Sequence, residues 1–442
     1  MWKLIETILA FHVKSKLLRM RLVFTLLGLH MSIMGISQIG FFRADGLDVI
    51  RSFGNSVVEI GEDRYLGVGR FFRENWPDYN VHFTEFNGEG QVIAIDTFKD
   101  DFHLHHSFHN DLYLIDSTVF AIVSSYDHNM SLSNSYLLEY DVNKTEVRLI
   151  ELFQFPESSC TGFVPLGEDD FFIVFSERVA DSANLIKILR YTDGEITKQF
   201  YYNYGDDNVT GGIVKELVVT DDNTIILGGY ISDTEAMYVP FFIEYGPEGD
   251  LLWEYKFSDD FEGYFIKDFI LDNKELIISF SRREIGGSGG STGVTGSEPR
   301  IVKLNKSTGV EWDKPFGQRI GTYHHSNSYN SILKAHELDG YILGGVIVNN
   351  DSLFHRCASI GKVSLEGDSI WHRRYSYTSE WNANNFLRDL EYTCDGGYVG
   401  IGGHVYGKTD SIYEGNTFRK TLFLKTDREG LIDGTNPVFD QR

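Results

Sequence analysis

Basic side chains are scarce in this sequence. Lys and Arg number 40 against 64 Asp and Glu, a formal net charge of −24 over 442 residues. Phosphate binding needs a basic footprint, so nucleic acid and anionic membranes are excluded as partners. Cysteine is scarcer still: Cys160, Cys357 and Cys394 are too few and too scattered for a disulfide framework, and no C-x-x-C pair exists. Long apolar runs are also missing. The longest, Leu22 to Ile36, has 15 residues, short of the roughly 20 that a membrane-spanning helix needs. No G-x-S-x-G or H-E-x-x-H motif occurs, so neither a nucleophile elbow nor a zinc-protease helix has a local signature. Acid pairs for carbohydrate cleavage can still assemble from separate segments, which spacing does not reveal. Aromatics, by contrast, reach 14% and glycines number 44, a composition foreign to disordered chains.

Lys14, Lys16, Arg19 and Arg21 precede the apolar run, and the small residues Gly35 and Ser37 follow it. That order reads as a secretory signal over residues 1–37, cleaved before Gln38. Met20 stands where such a signal normally begins, so 1–19 is an upstream start or a long basic region. Removing 1–37 takes away five basic side chains and one acidic one, leaving −28 on the mature chain. The expectation is a secreted or cell-surface protein with no membrane span in the mature chain, acting as a monomer.

After residue 37 no sustained 3.6-residue period appears; short β-rich runs alternate with turn clusters instead. One apolar strand recurs seven times, starting at Tyr65, Phe120, Phe171, Ile225, Leu276, Tyr341 and Tyr398, with spacings of 55, 51, 54, 51, 65 and 57 residues. An acidic or glycine turn precedes each, as in Gly61–Arg64 or Cys394–Gly397. A third strand then ends in a tight turn such as Phe86–Gly90 or Thr426–Gly430, and Trp253, Trp312 and Trp371 open fourth strands. Four strands per unit, seven units, predict an all-β seven-bladed β-propeller over residues 38–434, followed by a tail over 435–442. The last unit lacks a fourth strand. Leu47–Gly54 resembles the fourth strands Leu251–Ser258 and Ser369–Ser376, so an N-terminal strand is expected to complete the last blade.

Thr393-Cys394-Asp395-Gly396-Gly397-Tyr398, followed by Lys425-Thr426-Asp427-Arg428-Glu429-Gly430, resembles the T-x-D-G-G-Y … K-x-D-x-x-G repeat of secreted bacterial β-propellers. Many of these are type IX secretion cargo of gliding-type Gram-negative bacteria. The resemblance covers residues 45–434. It implies fold and export, and it brings no catalytic motif with it.

Loop lengths distinguish the two faces of such a ring. First-to-second and third-to-fourth turns are uniformly tight, whereas second-to-third loops and blade-to-blade connections are long and varied. Binding residues usually sit on variable loops carried by a rigid scaffold. Candidates on that face are Trp76, Tyr202, Tyr204, Tyr323, His324, His325, Tyr377 and Trp381. Flat rings with amides and hydroxyls suit a glycan or a protein ligand; the alternative is local packing of ordinary polar loops. Asp111, Glu216, Asp268 and Asp389 fall at equivalent positions of the innermost strands, where Ser56, Gly162 and Ser331 stand in the other blades. They either ring the channel mouth, where Ca2+ would relieve their repulsion, or cap backbone N–H groups. His103 and His105 share a strand face and are a weak metal pair. Gly402 to Thr409 fits the P-loop pattern formally, but leads into a polar loop and a strand rather than a helix.

The sequence reading is therefore an exported, non-catalytic binding or scaffold propeller that recognises a glycan or protein through its long-loop face. Two alternatives stand beside it: an enzyme acting on extracellular carbohydrate through acidic and His residues at the channel mouth, and a structural cell-surface protein.

Overall fold

A strand whose two faces are both apolar needs a sheet packed on each side of it. The second and third strands of this chain have that character: Tyr238–Tyr245 ends in six consecutive buried residues. The fourth strands do not. Leu251–Lys256 alternates between exposed and half-buried positions, as an outer edge does.

The protein is described from a computed structural model, over residues 41–45, 51–72, 79–98, 105–126, 133–144, 146–155, 158–167, 169–177, 185–202, 209–233, 238–258, 261, 263–285, 294–316, 328–348, 356–376, 384–406 and 418–432. The chain divides into two units, 1–39 and 40–442, and every described residue belongs to the second. The expected signal segment and the 435–442 tail lie outside the described residues.

Strand β1 is Phe41–Asp45. The first sheet holds β2 (Arg51–Gly61), β3 (Arg64–Phe72), β4 (Tyr79–Asn87) and β5 (Val92–Phe98). In the second are β6 (His105–Ile115), β7 (Thr118–Tyr126), β8 (Ser133–Asp141) and β9 (Glu146–Phe155). The third comprises β10 (Ser158–Gly167), β11 (Asp170–Glu177), β12 (Leu185–Thr192) and β13 (Glu195–Tyr202). Next come β14 (Val209–Val219), β15 (Ile225–Asp233), β16 (Tyr238–Tyr245) and β17 (Leu251–Lys256). The fifth sheet contains β18 (Tyr264–Asp272), β19 (Glu275–Ile285), β20 (Val294–Asn305) and β21 (Gly309–Pro315). The sixth has β22 (Ser328–Lys334), β23 (Gly340–Val348), β24 (Arg356–Ser364) and β25 (Ser369–Tyr375). Last are β26 (Asn384–Tyr392), β27 (Tyr398–Tyr406) and β28 (Phe418–Thr426).

Six sheets are thus four-stranded antiparallel meanders, and a seventh is made by β26, β27, β28 and β1, which pairs antiparallel with β28 from Phe41↔Lys425 to Asp45↔Thr421. No helix longer than a single 3-10 turn residue occurs among the described residues. The strand expected to sit beside β28 was Leu47–Gly54. Phe41–Asp45 pairs along that edge from Thr421 to Lys425, whereas Arg51–Gly54 belong to β2 and pair with β3, touching β28 only through the Arg51↔Arg419 bridge and the Thr421 N–H to Ser52 Oγ bond at 3.0 Å. The recurring apolar strands read from the sequence are β3, β7, β11, β15, β19, β23 and β27. Their leading turns place Asp63, Asp116, Asn223 and Asn273 at positive φ, a conformation that Asp and Asn tolerate better than other side chains with a Cβ.

Apolar side chains collect between sheets rather than within them. Leu66 and Phe83 of the first sheet pack with Val119 and Leu138 of the second; Val57, Tyr65 and Phe86 of the first also pack with Val399, Ile401 and Phe423 of the last. First strands touch first strands: β2 meets β6, β18 meets β22, and β26 meets β2. Outer strands add a second device. Trp312 and Trp371 lie over the turn glycines Gly367 and Gly430 of the following sheet, which sit at φ 79° and 73°, while Trp253 Nε1 donates to the Lys306 carbonyl at 3.1 Å.

Candidate functional site

Every first strand carries a β-bulge or register irregularity at the same height. The breaks fall at Gly54/Ser56, Phe108/Leu112, Cys160/Gly162, Val214/Glu216, Ile266/Asp268, Tyr329/Ser331 and Leu387/Asp389. A bulge inserts an extra residue and re-aims the side chains on either side of it. In the last four sheets the inserted residues are Lys215, Lys267, Asn330 and Arg388, and all four line one cavity of about 460 Å³.

The acids that follow the bulges serve the backbone. Asp268 Oδ2 accepts the Ile332 N–H of the next sheet at 2.6 Å, and Oδ1 accepts the Phe269 N–H at 2.6 Å. Asp389 Oδ2 accepts the Ser56 hydroxyl at 2.7 Å and the Val57 N–H at 3.0 Å, while Oδ1 takes the Leu390 N–H at 2.8 Å. Glu216 Oε1 accepts the Leu217 N–H at 3.0 Å. Burial pushes the Asp389 carboxyl above its ordinary pKa, and the donors around it pull the other way. None of these three acids lines the cavity. Asp268 and Asp389 thus cap backbone N–H groups of a neighbouring first strand, while the bulge residues Lys267 and Arg388 beside them line the cavity. Asp268 and Asp389 cap both within their own strand and across to the next sheet, whereas the Glu216 cap at Leu217 stays within its strand. Asp111 lies in β6 at its register irregularity, and its side chain is outside the described residues.

The cavity lies where the second-to-third loops and the sheet-to-sheet connections attach. Phe265 and Lys267 come from the start of β18, Phe386 and Arg388 from the start of β26, Tyr230 from the end of β15, and Arg356 opens β24. Its aromatic wall is braced: the Tyr230 ring meets Tyr238 and Phe265 edge-on, with centroids 5.3 and 5.4 Å away. Lys215 Nζ lies 5.7 Å from the Tyr230 ring centre. The Arg388 guanidinium sits over Phe53 and Phe386 at 4.8 and 5.8 Å and donates to Asn55 Oδ1 at 3.3 Å. Asn330 donates through Nδ2 to the Leu387 carbonyl at 2.7 Å and accepts the Ser328 hydroxyl at 3.1 Å, so its amide is locked. Lys215 is exposed at the cavity, and the protein packed around it pulls its pKa down by desolvation. Burial does the same to Arg356.

Among the surface aromatics read from the sequence, Tyr202 is 4% exposed, and its hydroxyl donates to Glu254 Oε1 at 2.7 Å. It is a core residue between the third and fourth sheets, while its neighbour Tyr201 is 47% exposed. Trp76, Tyr204, Tyr323, His324, His325, Tyr377, Trp381 and His103 lie outside the described residues. His105 lies in β6 opposite Tyr126, and no group of three or more His, Cys, Asp or Glu poised for a metal occurs among the described residues. Gly402 to Tyr406 of the formal P-loop match lie within β27.

Sequence reasoning passed over Lys215, Lys267 and Arg388. The signal was one position away: each immediately precedes an aligned acid, giving Lys-Glu, Lys-Asp and Arg-Asp doublets. Strict strand alternation would put the two members of a doublet on opposite faces, and the bulge decides which of them meets the cavity.

No protein-family description matches the sequence, and no curated protein does. Among solved structures the chain is similar to the polysaccharide lyase PL25 ulvan lyase bound to -[GlcA(1-4)Rha3S]-, with a TM-score of 0.53 at 8% identity over 86% of this chain and 95% of that one. A second structure of PL25 ulvan lyase gives 0.50 at 8% identity over the same shares, 86% and 95%. The α-L-arabinofuranosidase of Fusarium graminearum gives 0.45 at 11% identity over 74% and 97%. The fold is a β-propeller. At these identities the likeness bears on the architecture alone.

Proposed function

We propose that this protein is an exported carbohydrate-binding β-propeller whose seven blades form one ring, with β1 completing the last blade. The cavity at the bulged inner strands carries this reading: the rings of Tyr230, Phe265 and Phe386 stand beside fixed polar groups on a rigid scaffold, the mix that holds a sugar by stacking and hydrogen bonds. The ulvan lyase of similar fold is bound to a glycan, a fold-level analogy that supports the ligand class and no more. Support for the ring comes from the apolar packing of the first blade on the last and from the β1–β28 pairing. Export rests on the basic stretch and short apolar run before residue 38. The protein acts as a monomer at the cell surface or beyond it.

Glycan-array binding of the full chain, once in calcium and once in EDTA, tests the function. Saturable binding that survives EDTA is the expected result. Binding lost in EDTA would move the contact to a cation such as Ca2+ held by the long loops, and binding to no glycan in either buffer would overturn the carbohydrate reading.

A further inference from the structure

We infer that the cavity is a site for an anionic sugar unit, a uronate carboxylate or a sulfate ester, held by Lys215, Lys267, Arg356 and Arg388. The inference rests on the carbohydrate reading and narrows its ligand class.

The charge of the site runs against the charge of the protein. Acids outnumber bases by 64 to 40 in the chain, yet four cations and no carboxylate line the cavity among the described residues. Several cations elsewhere are neutralised at contact distance: Lys306 by Glu244 at 2.7 Å, Arg300 by Asp313 at 2.7 Å, Lys362 by Asp339 at 2.8 Å and Lys425 by Asp395 at 2.7 Å. Lys215 and Arg356 have no such partner among the described residues. Burial alone pulls their pKa values down, with no carboxylate opposing it. Arg356 is half-buried and Lys215 stands exposed at the cavity, so two cations without a carboxylate partner converge where a bound anion would be attracted to both.

The geometry is prepared as well. Arg388 is held between two rings and tied to Asn55, so its planar fork of donors is oriented before a ligand arrives; such forks match carboxylate and sulfate oxygens in pairs. Bulges on four successive inner strands set the positions of Lys215, Lys267, Asn330 and Arg388, and groups on packed strands keep their geometry better than groups on loops. Tyr230, Phe265 and Phe386 add apolar surface to the same cavity.

Calorimetric titration of the full chain compares four probes: a sulfated oligosaccharide, a uronate oligosaccharide, a neutral oligosaccharide of equal length, and inorganic sulfate. Lys215→Gln removes an exposed charge and Arg356→Gln a half-buried one, neither with a carboxylate partner among the described residues, so their melting temperatures are expected to hold, which separates binding from folding. Acidic oligosaccharides should bind, with each substitution weakening them about tenfold, and Arg356→Lys should recover part of the loss. Preference between the sulfated and uronate probes assigns the group. A neutral oligosaccharide bound as well as the acidic ones, unaffected by either substitution, overturns the inference and leaves the carbohydrate reading standing. Inorganic sulfate bound by the wild type and lost in both variants, with no oligosaccharide bound, keeps the anion site and overturns the carbohydrate reading. Absence of binding by all four probes overturns both.

Discussion

The Ser56 hydroxyl donates to Asp389 Oδ2 at 2.7 Å although 333 residues of chain separate them. The contact joins the innermost strand of the last blade to that of the first, and Asp268 reaches Ile332 in the same way between the fifth and sixth. Asp389→Ala leaves the Ser56 hydroxyl and the Val57 and Leu390 N–H groups without this acceptor. Urea denaturation should show a loss of about 3 kcal/mol, against about 1 for Ser56→Ala, with coupling between the two in a double-mutant cycle. Independent, additive effects would contradict a lacing role.

Glycines in the second strands face the bulges. A Cβ on Gly402 would stand 1.9 Å from the Phe386 carbonyl oxygen, and one on Gly345 2.1 Å from that of Ser328. Phe386 and Ser328 both border the cavity. Gly402→Ala is therefore expected to lower stability by about 2 kcal/mol or more and to weaken glycan binding with it. Gly167→Ala, which meets nothing within 4 Å, is the matched control and should change neither.

Replacing Phe41–Asp45 with a Gly-Ser segment of equal length weakens the pairing on the edge of β28 opposite β27, the stretch that carries Leu422, Phe423 and Leu424. Thermal unfolding should begin several degrees lower. An unchanged melt would contradict the proposed completion of the last blade.

Two groups of side chains give stability opposite dependences on pH. Glu391 is raised from 4.5 to about 7, first by burial and then by the charge of Asp389. The folded state thus binds a proton that the unfolded state has released, and stability falls as pH rises from about 4.5 to about 7. Glu391→Gln should gain up to about 3 kcal/mol at pH 8 and nothing at pH 4. His82 and His404 run the other way: burial lowers both from 6.5 to about 4, so their contribution is intact above 6.5 and is lost as pH falls toward 4. Melting temperature against pH for wild type and Glu391→Gln checks both signs. Parallel curves from pH 4 to pH 8 would contradict the Glu391 assignment.

The strand rhythm was legible because it is local: an apolar strand, an Asp or Gly turn and a following strand announce a hairpin without help from distant residues, as β3 and β27 do. Trp312 and Trp371 were visible as repeats, although their place over Gly367 and Gly430 of the next blade was not. Pairing across the chain was harder. Phe41–Asp45 and Leu47–Gly54 are both short mixed runs, and only the contacts with Thr421–Lys425 choose between them. Tyr202 and Tyr201 differ by one step of strand alternation, and neither composition nor loop length says which one turns inward. The cavity was hidden for a related reason. Aligning the acids found the right height on the inner strands, but a bulge is a property of two strands in register, so Lys215, Lys267 and Arg388 stayed in the shadow of Glu216, Asp268 and Asp389.

Hydrogen exchange of the full chain with and without its best glycan-array ligand tests the central claim most directly. Protection is predicted at Phe265–Lys267, Ser328–Asn330 and Phe386–Arg388, on three of the four inner strands that border the cavity. Protection confined to the tight-turn face, for example at Lys306–Gly309 or Glu366–Asp368, would place the ligand elsewhere and contradict it.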